Sequence, residues 1–572
     1  MNRRLRKIWG IVCFTGIPWF IISIIVGIAI EKQWYEQTKD RVLVIDSWTD
    51  IWEILCVSIF ICFYVLLKNS LWIGSKRRIG LFTWMMKYKD EPQEKSTRKR
   101  KAQYPRVKED YLSSVPDQFA IGKQQDKFVQ FDLDSCLPLL VFGSSGAGKT
   151  SLLLTMILYQ LYIKKRTHDS PALFVFDFKE GELYRKSCSP DSINERFVSL
   201  SGRDYWGWDP YYRLNSKSKD DEVIRELTLI SDIVIDDANE KNSFFTDSAK
   251  AILVFVGLYC FKKGKSFIQT IDYITKGNVK TMLLQVMEGC EGRTDYQKTS
   301  DSIAEFVAIG DNNEALNNIK MTLKQKMGVF RVDDVRWALE YNPLKASPYD
   351  LEDGKSIFFY PGDTDVTNVV LRIIAKQLEY HCTHRDFLNL SGRGELRRII
   401  TIADECFTIG KTVNFAKWAS VARGYKNPLI MIWQSYSQVK ETYNENTAES
   451  LLDDVDGIVV LAVNSPKNAE QFVEFAGEYL EERKTYNHGG NSDGAYSRSY
   501  ENKPVLTKWD FLQLRRRKEA IIMMNGEYYR VKSKPARYYM IQELNTISEK
   551  CLDEQREREQ ENSKQKMMEG TR

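Results

Sequence analysis

The sequence predicts an α/β fold whose parallel strands end in polar residues. Three short apolar runs, at 137–142, 398–403 and 428–433, are typical of strands that are buried on both faces of a sheet. Each run leads directly into a polar or glycine-rich segment, and the first is followed by the apolar helical stretch SLLLTMILYQLYI. Because ligands of open α/β sheets bind at the carboxyl ends of strands, the residues after these runs are candidate site residues.

The overall composition excludes several classes of protein. A chain of 572 residues suggests three or four domains. Its 82 Lys and Arg against 77 Asp and Glu give a net charge of +5, which excludes a histone-like basic protein and an acidic solubilising one. With 43% hydrophobic and 28% charged residues, wholesale disorder is excluded too. The mean hydropathy of -0.39 suits a soluble enzyme, but this average conceals an apolar N-terminal region.

Two apolar stretches in residues 1–75 predict a transmembrane hairpin. Ile8–Ile30 has 23 residues without a charge, which is enough to span a bilayer and too long for the apolar region of a signal peptide. Ile51–Ile73 carries charges only near its ends, and its length alone would also fit a buried soluble helix. Basic residues precede the first stretch and follow the second, so the positive-inside rule predicts that both ends are cytoplasmic.

Residues 76–110 are predicted to form a basic linker. Lys68–Lys108 contains 13 Lys and Arg but only 3 Asp and Glu. The favoured interpretation is a solvated segment that faces anionic lipid head groups. A nucleic-acid collar is the alternative, because clustered charge alone does not discriminate between the two.

The segment between the first strand and its helix has the Walker A pattern GxxxxGK[ST]. Glycines in such a loop let successive backbone N–H groups turn toward phosphate oxygens at a helix N-terminus. We expect Lys149 to neutralise the β- and γ-phosphates of ATP, and Thr150 to ligate Mg²⁺. The candidate nucleotide-binding residues are Gly143, Ser144, Ser145, Gly146, Ala147, Gly148, Lys149, Thr150 and Ser151.

Two acidic residues follow the second strand. Asp404 fits the acid that holds Mg²⁺ through water, and Glu405 fits a general base that polarises the attacking water. An Asp-Glu pair can also simply begin the next helix, as a cap and a first-turn acid. The phosphate-binding loop upstream favours the catalytic interpretation.

Gln434 and Arg423 complete the set of candidates. Gln434 follows the third strand, where it is placed to sense the γ-phosphate or to position water. Arg423 lies in the segment between the last two strands. A cation there could reach a neighbouring subunit's nucleotide as an arginine finger, although an ordinary surface arginine would have the same local sequence.

The motifs DECFTIG (404–410) and VARGYKNPLIMIWQSYSQVKETY (421–443) resemble the signature of type IV secretion coupling proteins, the conjugative DNA-transfer ATPases. Phe176–Leu183 is similar to the family's D-x-K-G-E-L strand, with one extra residue, Glu180. The segments Pro504–Thr507 and Ala536–Tyr539 resemble its C-terminal closing strands.

This resemblance, which reaches about residue 540, implies a RecA-like P-loop NTPase with an inserted all-α domain and an N-terminal transmembrane hairpin. It implies that Lys149, Asp404, Glu405, Arg423 and Gln434 carry the roles given above, with Arg423 acting in trans. It also implies a homohexamer in the bacterial inner membrane with most of the chain in the cytoplasm. The implied partners are single-stranded DNA with its relaxase and the subunits of a type IV secretion channel.

The expected domains follow from these motifs and from composition. The RecA-like domain takes residues 111–242 and 336–542, and the all-α domain takes residues 243–335, which lack proline and have helical periodicity. Residues 482–502 are polar and rich in Gly and Ser, and predict a mobile loop. Residues 543–572 form a charged tail that is expected to be a frayed helix or disordered.

Other functions remain open at this point. A coupling ATPase for secreted effector proteins, a receptor that uses ATP only to assemble, and a chromosome-type double-stranded DNA translocase would share the motor motifs. The ten cysteines lack CxxC spacing and predict reduced thiols. The run from His381 through Cys382 to His384 is too compressed for a familiar metal site and is interpreted as structural.

Overall fold

The computed structural model describes residues 105–135, 137–165, 167, 170–236, 243–308, 313–385, 396–410, 412–486, 496–524 and 526–569. The predicted transmembrane hairpin and nearly all of the basic linker lie outside these residues.

The strands follow the chain in this order: β1 (Leu112–Ser113), β2 (Phe119–Gln124), β3 (Lys127–Phe131), β4 (Leu139–Gly143), β5 (Ala172–Asp177), β6 (Glu195–Ser199), β7 (Gly207–Trp208), β8 (Lys345–Ala346), β9 (Ser356–Tyr360), β10 (Ile399–Asp404), β11 (Leu429–Trp433), β12 (Gly457–Ala462), β13 (Glu478–Tyr486), β14 (Tyr496–Pro504), β15 (Glu519–Met524) and β16 (Glu527–Lys532).

The helices are α1 (Lys149–Leu158), α2 (Glu182–Arg185), α3 (Asp220–Val234), α4 (Ser243–Lys262), α5 (Phe267–Thr275), α6 (Val279–Cys290), α7 (Gln297–Ala308), α8 (Asn313–Lys326), α9 (Asp333–Arg336), α10 (Pro348–Glu352), α11 (Thr364–Thr383), α12 (Cys406–Ile409), α13 (Phe415–Ala422), α14 (Tyr436–Thr442), α15 (Glu445–Asp454), α16 (Pro466–Ala476), α17 (Lys508–Leu512), α18 (Leu514–Arg517) and α19 (Gln542–Glu569).

Within the described residues, one large sheet has the strand order β1-β3-β2-β16-β15-β12-β4-β11-β10-β5-β9-β6. The strands from β12 to β6 are parallel to one another, and the strands from β15 to β1 continue the sheet in antiparallel fashion. The three predicted strands are confirmed as β4, β11 and β10, and they are adjacent in that order. Their carboxyl ends therefore lie side by side.

Both faces of the parallel strands are buried, which explains why their sequences are continuously apolar. Along β4, Leu140 and Phe142 face one apolar cluster, which also contains side chains of α3 to α8. Leu139 and Val141 face the other cluster, which contains α1 and the start of α19. The helix that follows the phosphate loop and the C-terminal helix therefore share one face of the sheet.

The helical periodicity predicted between residues 243 and 335 is confirmed as helices α4 to α8. Helix α4 packs against α3, α7 and α8. Among the described residues, only its segment Phe244–Lys262 is long and apolar enough to cross a membrane. Because 56% of its most apolar window is buried inside the protein, packing within a helical core already accounts for its composition.

Two segments near the C-terminus differ in part from what the sequence predicts. Most of the predicted loop at 482–502 belongs to β13 and β14, which form a separate two-stranded sheet in the described part of the chain. The charged tail, expected to be a frayed helix or disordered, is helical as α19, and the first half of this helix buries Leu544 and Cys551. The few apolar residues of this half, such as Leu544, pack in the apolar cluster that also contains α1. They attach this half of the helix to the protein although its apolar content is low.

The closing strands also differ from the expectation. The described strands that extend the sheet toward β2 are β15 and β16, at residues 519–524 and 527–532. Pro504–Thr507 links β14 to α17, and Ala536–Tyr539 forms tight helical turns instead of a strand. These turns lie against helix α1, where Thr155 Oγ1 donates a hydrogen bond of 2.7 Å to the Ala536 carbonyl.

Candidate functional site

The predicted phosphate loop lies between β4, which ends at Gly143, and α1, which begins at Lys149. Gly146 (φ 73°) and Gly148 (φ 91°) have left-handed backbone conformations, which a residue with a side chain adopts only at a cost. The Ala147 amide donates a 3.1 Å hydrogen bond to the Ser144 carbonyl. This tight path, at the start of a ten-residue helix, is the kind of backbone that can present N–H groups to an anion.

Lys149 points back over this loop. Its side chain is almost fully buried, and its Nζ donates a hydrogen bond of 2.6 Å to the Gly143 carbonyl. Burial lowers the pKa of Lys149, and the nearby carboxylates of Glu405 and Asp404 act in the opposite direction. The ammonium group therefore lies within the electrostatic reach of both predicted acids.

A second lysine, Lys179, lies between the two predicted metal ligands. Its Nζ donates a hydrogen bond of 2.9 Å to Thr150 Oγ1 and lies 3.5 Å from Asp404 Oδ2. Burial raises the pKa of Asp404, an effect that the positive charge of Lys179 opposes. Thr150 and Asp404 thus form a small anionic site that already holds one cation.

The residues at this position fit Mg²⁺. A hydroxyl and a carboxylate are the hard oxygen ligands that Mg²⁺ prefers. Asp404 Oδ1 is buried and has no hydrogen-bond partner among the described residues, so it has a free lone pair for a cation or its water. No group of three or more His, Cys, Asp or Glu side chains in the described ranges is arranged so that it could hold a metal ion by itself. Phosphate oxygens and water would therefore have to supply the other ligands, as is usual for Mg²⁺ at phosphate sites.

The turn after β5 positions Lys179. Glu180 (φ 53°) and Gly181 (φ 72°) are both left-handed, so the residue that is extra relative to the family motif is absorbed in the turn. Asp177, at the end of β5, accepts a hydrogen bond of 3.0 Å from the Tyr184 amide, and burial raises its pKa to about 7. Lys179 lies in the segment that resembles the family motif, but its local sequence does not predict its contacts with Thr150 and Asp404.

Glu405 and Gln434 meet where β10 and β11 end. Gln434 Nε2 donates a hydrogen bond of 2.9 Å to Glu405 Oε1. Glu405 has φ 101° and ψ 59°, a left-handed conformation that costs a non-glycine residue about 1–3 kcal/mol and is concentrated at functional sites. It occupies the capping position of α12, but its side chain makes no capping hydrogen bond in the described chain. The carboxylate is therefore directed to Gln434, and the helix-capping alternative does not describe it.

Arg423 lies at the amino edge of the sheet, the end at which the parallel strands begin. The phosphate loop, Asp404 and Gln434 lie at the carboxyl edge, where the strands end. Arg423 follows α13, and its Nη2 donates hydrogen bonds of 2.8 and 2.9 Å to the two carboxylate oxygens of Asp456. The Asp456 amide in turn donates to the Pro138 carbonyl, just before β4 begins. The five residues of β4 place this edge roughly 16 Å from the phosphate loop. Arg423 is 63% exposed and is not brought to the site of its own chain.

Two arginines that sequence analysis did not identify contact the phosphate loop. Arg537 Nη2 donates a hydrogen bond of 2.9 Å to the Ala147 carbonyl, and its Cζ lies 2.5 Å from the position of a Cβ on Gly148. Arg515 Nη2 lies 2.9 Å from the corresponding position on Gly146. Neither arginine is near the loop in sequence: Arg515 begins the basic run of residues 515–518, and Arg537 lies in the Ala536–Tyr539 segment that was predicted as a closing strand.

The compact histidine run has a packing environment. His381 is fully buried, and its Nε2 lies 3.0 Å from Glu352 Oε1, whose carboxylate also pairs with Arg385. Burial lowers the pKa of His381. His384 stacks on Tyr380 in the same helix. These contacts agree with a structural interpretation of the run. The six cysteines in the described part of the chain are free and buried.

Comparison with known proteins gives one family and one fold. The family model for the type IV secretory system conjugative DNA transfer proteins matches residues 214–568, which is more than half of the chain. No curated protein matches. The fold is similar to that of the plasmid coupling protein TrwB in complex with a non-hydrolysable ATP analogue, at a TM-score of 0.51 and 16% identity over 73% of this chain and 89% of that chain.

Two further TrwB structures have the same fold. The complex with ADP and Mg²⁺ has a TM-score of 0.50 at 16% identity, and covers 74% of this chain and 92% of that chain. The unbound monoclinic form of the bacterial conjugative coupling protein TrwBdeltaN70 has a TM-score of 0.50 at 15% identity over 73% and 91%. At these identities the likeness is one of fold.

Proposed function

Because the chain belongs to the family of type IV secretory system conjugative DNA transfer proteins, we propose that it is an ATP-hydrolysing coupling protein. In this proposal it recruits a relaxase–DNA substrate and drives single-stranded DNA through a type IV secretion channel. It acts as a homohexamer, anchored in the bacterial inner membrane by the two spans predicted in residues 1–75.

One observation carries the enzymatic part of the proposal. The ends of three adjacent parallel strands bring Lys149, Asp404 and Glu405 together, and Gln434 hydrogen-bonds to Glu405 at 2.9 Å. These are the parts that phosphoryl transfer to water requires: a cation for the phosphates, an acid for the metal and a base for the water. TrwB, whose fold is similar, has been crystallised with an ATP analogue and with ADP and Mg²⁺, which supports ATP as the nucleotide.

Each residue has a distinct part in the proposed hydrolysis. Lys149 neutralises charge on the phosphates, and Thr150 and Asp404 hold Mg²⁺, which when bound offsets the charge of the β- and γ-phosphate oxygens. Glu405 accepts the proton of the attacking water, a contribution of about 10²–10⁴ in rate. Gln434 restrains the Glu405 carboxylate through their hydrogen bond and offers its amide to the same water.

Arg423 has no access to the nucleotide of its own subunit. Its exposure at the amino edge supports a role on the nucleotide of a neighbouring subunit. Its two hydrogen bonds to Asp456 hold the guanidinium group at that edge. A single subunit is then catalytically incomplete, which ties hydrolysis to assembly of the ring.

The helices α4 to α8 are proposed to form the lobe that receives cargo. They are inserted between β7 and β8, on the sheet face opposite to α1. DNA is held through its phosphate backbone, without base reading, which makes binding independent of sequence and sensitive to salt.

The decisive variant is Lys149→Ala in the full-length, membrane-inserted protein. We expect loss of ATP turnover and of DNA transfer, with normal membrane insertion. Lys550→Ala, which changes an exposed lysine of α19, is the matched control and should behave as the unaltered protein. Wild-type transfer by the Lys149 variant would disprove the motor.

Stimulation of turnover by nucleic acid identifies the cargo. Single-stranded DNA should stimulate the unaltered protein. No stimulation by DNA would instead indicate a coupling ATPase for effector proteins, and stimulation by double-stranded DNA alone would indicate a chromosome-type translocase. Turnover near zero in a verified hexamer would indicate a receptor that uses ATP only to assemble.

A further inference from the structure

The C-terminal part of the chain supplies two guanidinium groups to its own phosphate loop. Arg515 follows Leu514 on the short helix α18, and Arg537 precedes the turn Tyr538–Met540. The two guanidiniums lie over the two left-handed glycines of the loop, Arg515 over Gly146 and Arg537 over Gly148. Their environments differ, and the difference separates their roles.

Arg537 is fixed by the protein. Its Nη2 donates to the Ala147 carbonyl at 2.9 Å, and its Nη1 donates to the Tyr539 hydroxyl at 3.2 Å. The preceding residue, Ala536, is fully buried and accepts the 2.7 Å hydrogen bond from Thr155 of α1. Arg537 therefore holds the loop to the helix that follows it, and is a positioning residue.

Arg515 has the opposite character. Its side chain is exposed and has no hydrogen bond or ion pair with any residue of the described ranges. The backbone that carries it is anchored, because Leu514 and Gln513 are buried and α18 packs against β12 and β15. A rigidly based guanidinium with five donors and no acceptor, next to an anion-binding loop, is suited to a phosphate.

The position of Gly146 in the loop indicates which phosphate of a bound nucleotide Arg515 would contact. Ser144, at the start of the loop, lines the same cleft as Gln434, so this part of the loop faces the water-activating pair. The end of the loop, at Gly148, is the N-cap of helix α1, which begins at Lys149. Arg515 approaches from the β12 side of β4, whereas Lys179 and Asp404 approach from the β10 side. A phosphate at the start of the loop would lie between these two groups of charges.

We propose that Arg515 binds the terminal phosphate of the nucleotide in cis, so that each subunit distinguishes ATP from ADP through its own C-terminal segment. This inference rests on the proposed nucleotide-binding function. It makes Arg515 a binding residue that is distinct from Lys149, from the metal ligands and from Arg423.

The test compares Arg515→Ala with Arg516→Ala in the purified full-length protein. Arg516 is the next residue on the same short helix and is exposed too, so it controls for the loss of one positive charge. The dissociation constants of a non-hydrolysable ATP analogue and of ADP are measured with Mg²⁺ for each protein. We expect Arg515→Ala to weaken binding of the analogue about tenfold or more, with ADP unchanged, because one charge-assisted contact to the third phosphate is lost. Arg516→Ala should change neither constant.

An equal effect of Arg515→Ala on both nucleotides, or no effect, would overturn the inference while leaving the proposed function intact. Failure of the unaltered protein to bind either nucleotide would overturn the proposed function itself. Arg537→Ala provides the contrast, because loss of a positioning residue should weaken both nucleotides to a similar extent. If Arg537→Ala weakened binding of the ATP analogue but not of ADP, the terminal phosphate would be bound by Arg537 and not by Arg515. That result would also contradict the inference.

Discussion

The two edges of the parallel sheet carry charged residues in opposite settings. At the carboxyl edge, Lys149 and Asp404 are buried, and Gln434 is hydrogen-bonded to Glu405. At the amino edge, Arg423 and Asp456 form an isolated pair in which the arginine is 63% exposed. Charges buried close together can act on a ligand bound by their own chain. An exposed arginine at the far edge is too distant to act on a ligand bound at the carboxyl edge of its own chain, which is why we propose that it acts on a neighbouring subunit.

Replacing Arg423 tests this contrast most strongly. Arg423→Ala should lower ATP turnover by about 10³–10⁵, the size of effect that an arginine finger supplies, while nucleotide binding is unchanged. Mixed rings of Arg423→Ala and Glu405→Gln subunits should recover part of the activity, because some interfaces then combine an intact arginine with an intact site. Rings that recover nothing on mixing would place Arg423 in cis and remove the difference between the edges.

Replacing Glu405 tests the carboxyl edge alone. Glu405→Gln should lower turnover by about 10²–10⁴ while ATP still binds, because the variant keeps the size of the side chain but cannot accept a proton. Turnover and equilibrium binding of an ATP analogue are measured on the same preparation. Glu441, a surface carboxylate on α14, gives the matched control Glu441→Gln. Retention of full turnover in Glu405→Gln would exclude Glu405 as the base.

Replacing Lys179 tests whether its ammonium group competes with Mg²⁺ at the carboxyl edge. Lys179→Met removes a positive charge that competes for the same oxygens of Thr150 and Asp404. The Mg²⁺ concentration that half-saturates nucleotide binding should fall by up to about fivefold, since the lysine is partly exposed and its charge is screened. Lys186→Met, on the adjacent turn of chain, should leave that concentration unchanged. A higher Mg²⁺ requirement in Lys179→Met would mean that Lys179 contacts the nucleotide instead.

Replacing Asp456 should have the smallest effect. Asp456→Asn leaves Arg423 in place but without its ionic partner, and exposed pairs of this kind contribute about 0.2–1 kcal/mol. Turnover should therefore fall by about two- to fivefold, far less than in Arg423→Ala. Asp453→Asn, an exposed acid of the preceding helix α15, should not lower it. A loss as large as that of Arg423→Ala would indicate that Asp456 itself reaches the neighbouring site.

The carboxyl edge could be predicted because its signals are local. A strand, a glycine-rich turn and a helix identify the loop around Lys149 within about twenty residues, and Asp404 and Gln434 each follow a short apolar run. Parallel strands then bring their ends to one edge whatever lies between them. Lys149 and Asp404 are 255 positions apart, and the chain between them did not have to be understood for the two to be placed together.

The residues that sequence analysis missed depend on distant contacts. Arg537 and Ala147 are 390 positions apart, and no local periodicity links them. Lys179 lies in a segment that resembles a family motif, but its position depends on two consecutive left-handed residues, of which the motif lacks Glu180. The pairing of β13 with β14 and the attachment of α19 were missed for a related reason, because neither sequence has a continuous apolar periodicity.

The contact between Arg537 and the phosphate loop also has a consequence for synthesis of the chain, because its two partners are made far apart in time. The loop leaves the ribosome 390 residues before the arginine that holds it, and β2 precedes its sheet neighbour β16 by about as many. At typical rates of about 5–20 residues per second, the apolar strands around β4 wait roughly 20–80 s for these partners. The nascent chain therefore passes through a long interval in which its nucleotide loop is made but not yet braced, and a chaperone that shields strand edges should be most needed in that interval.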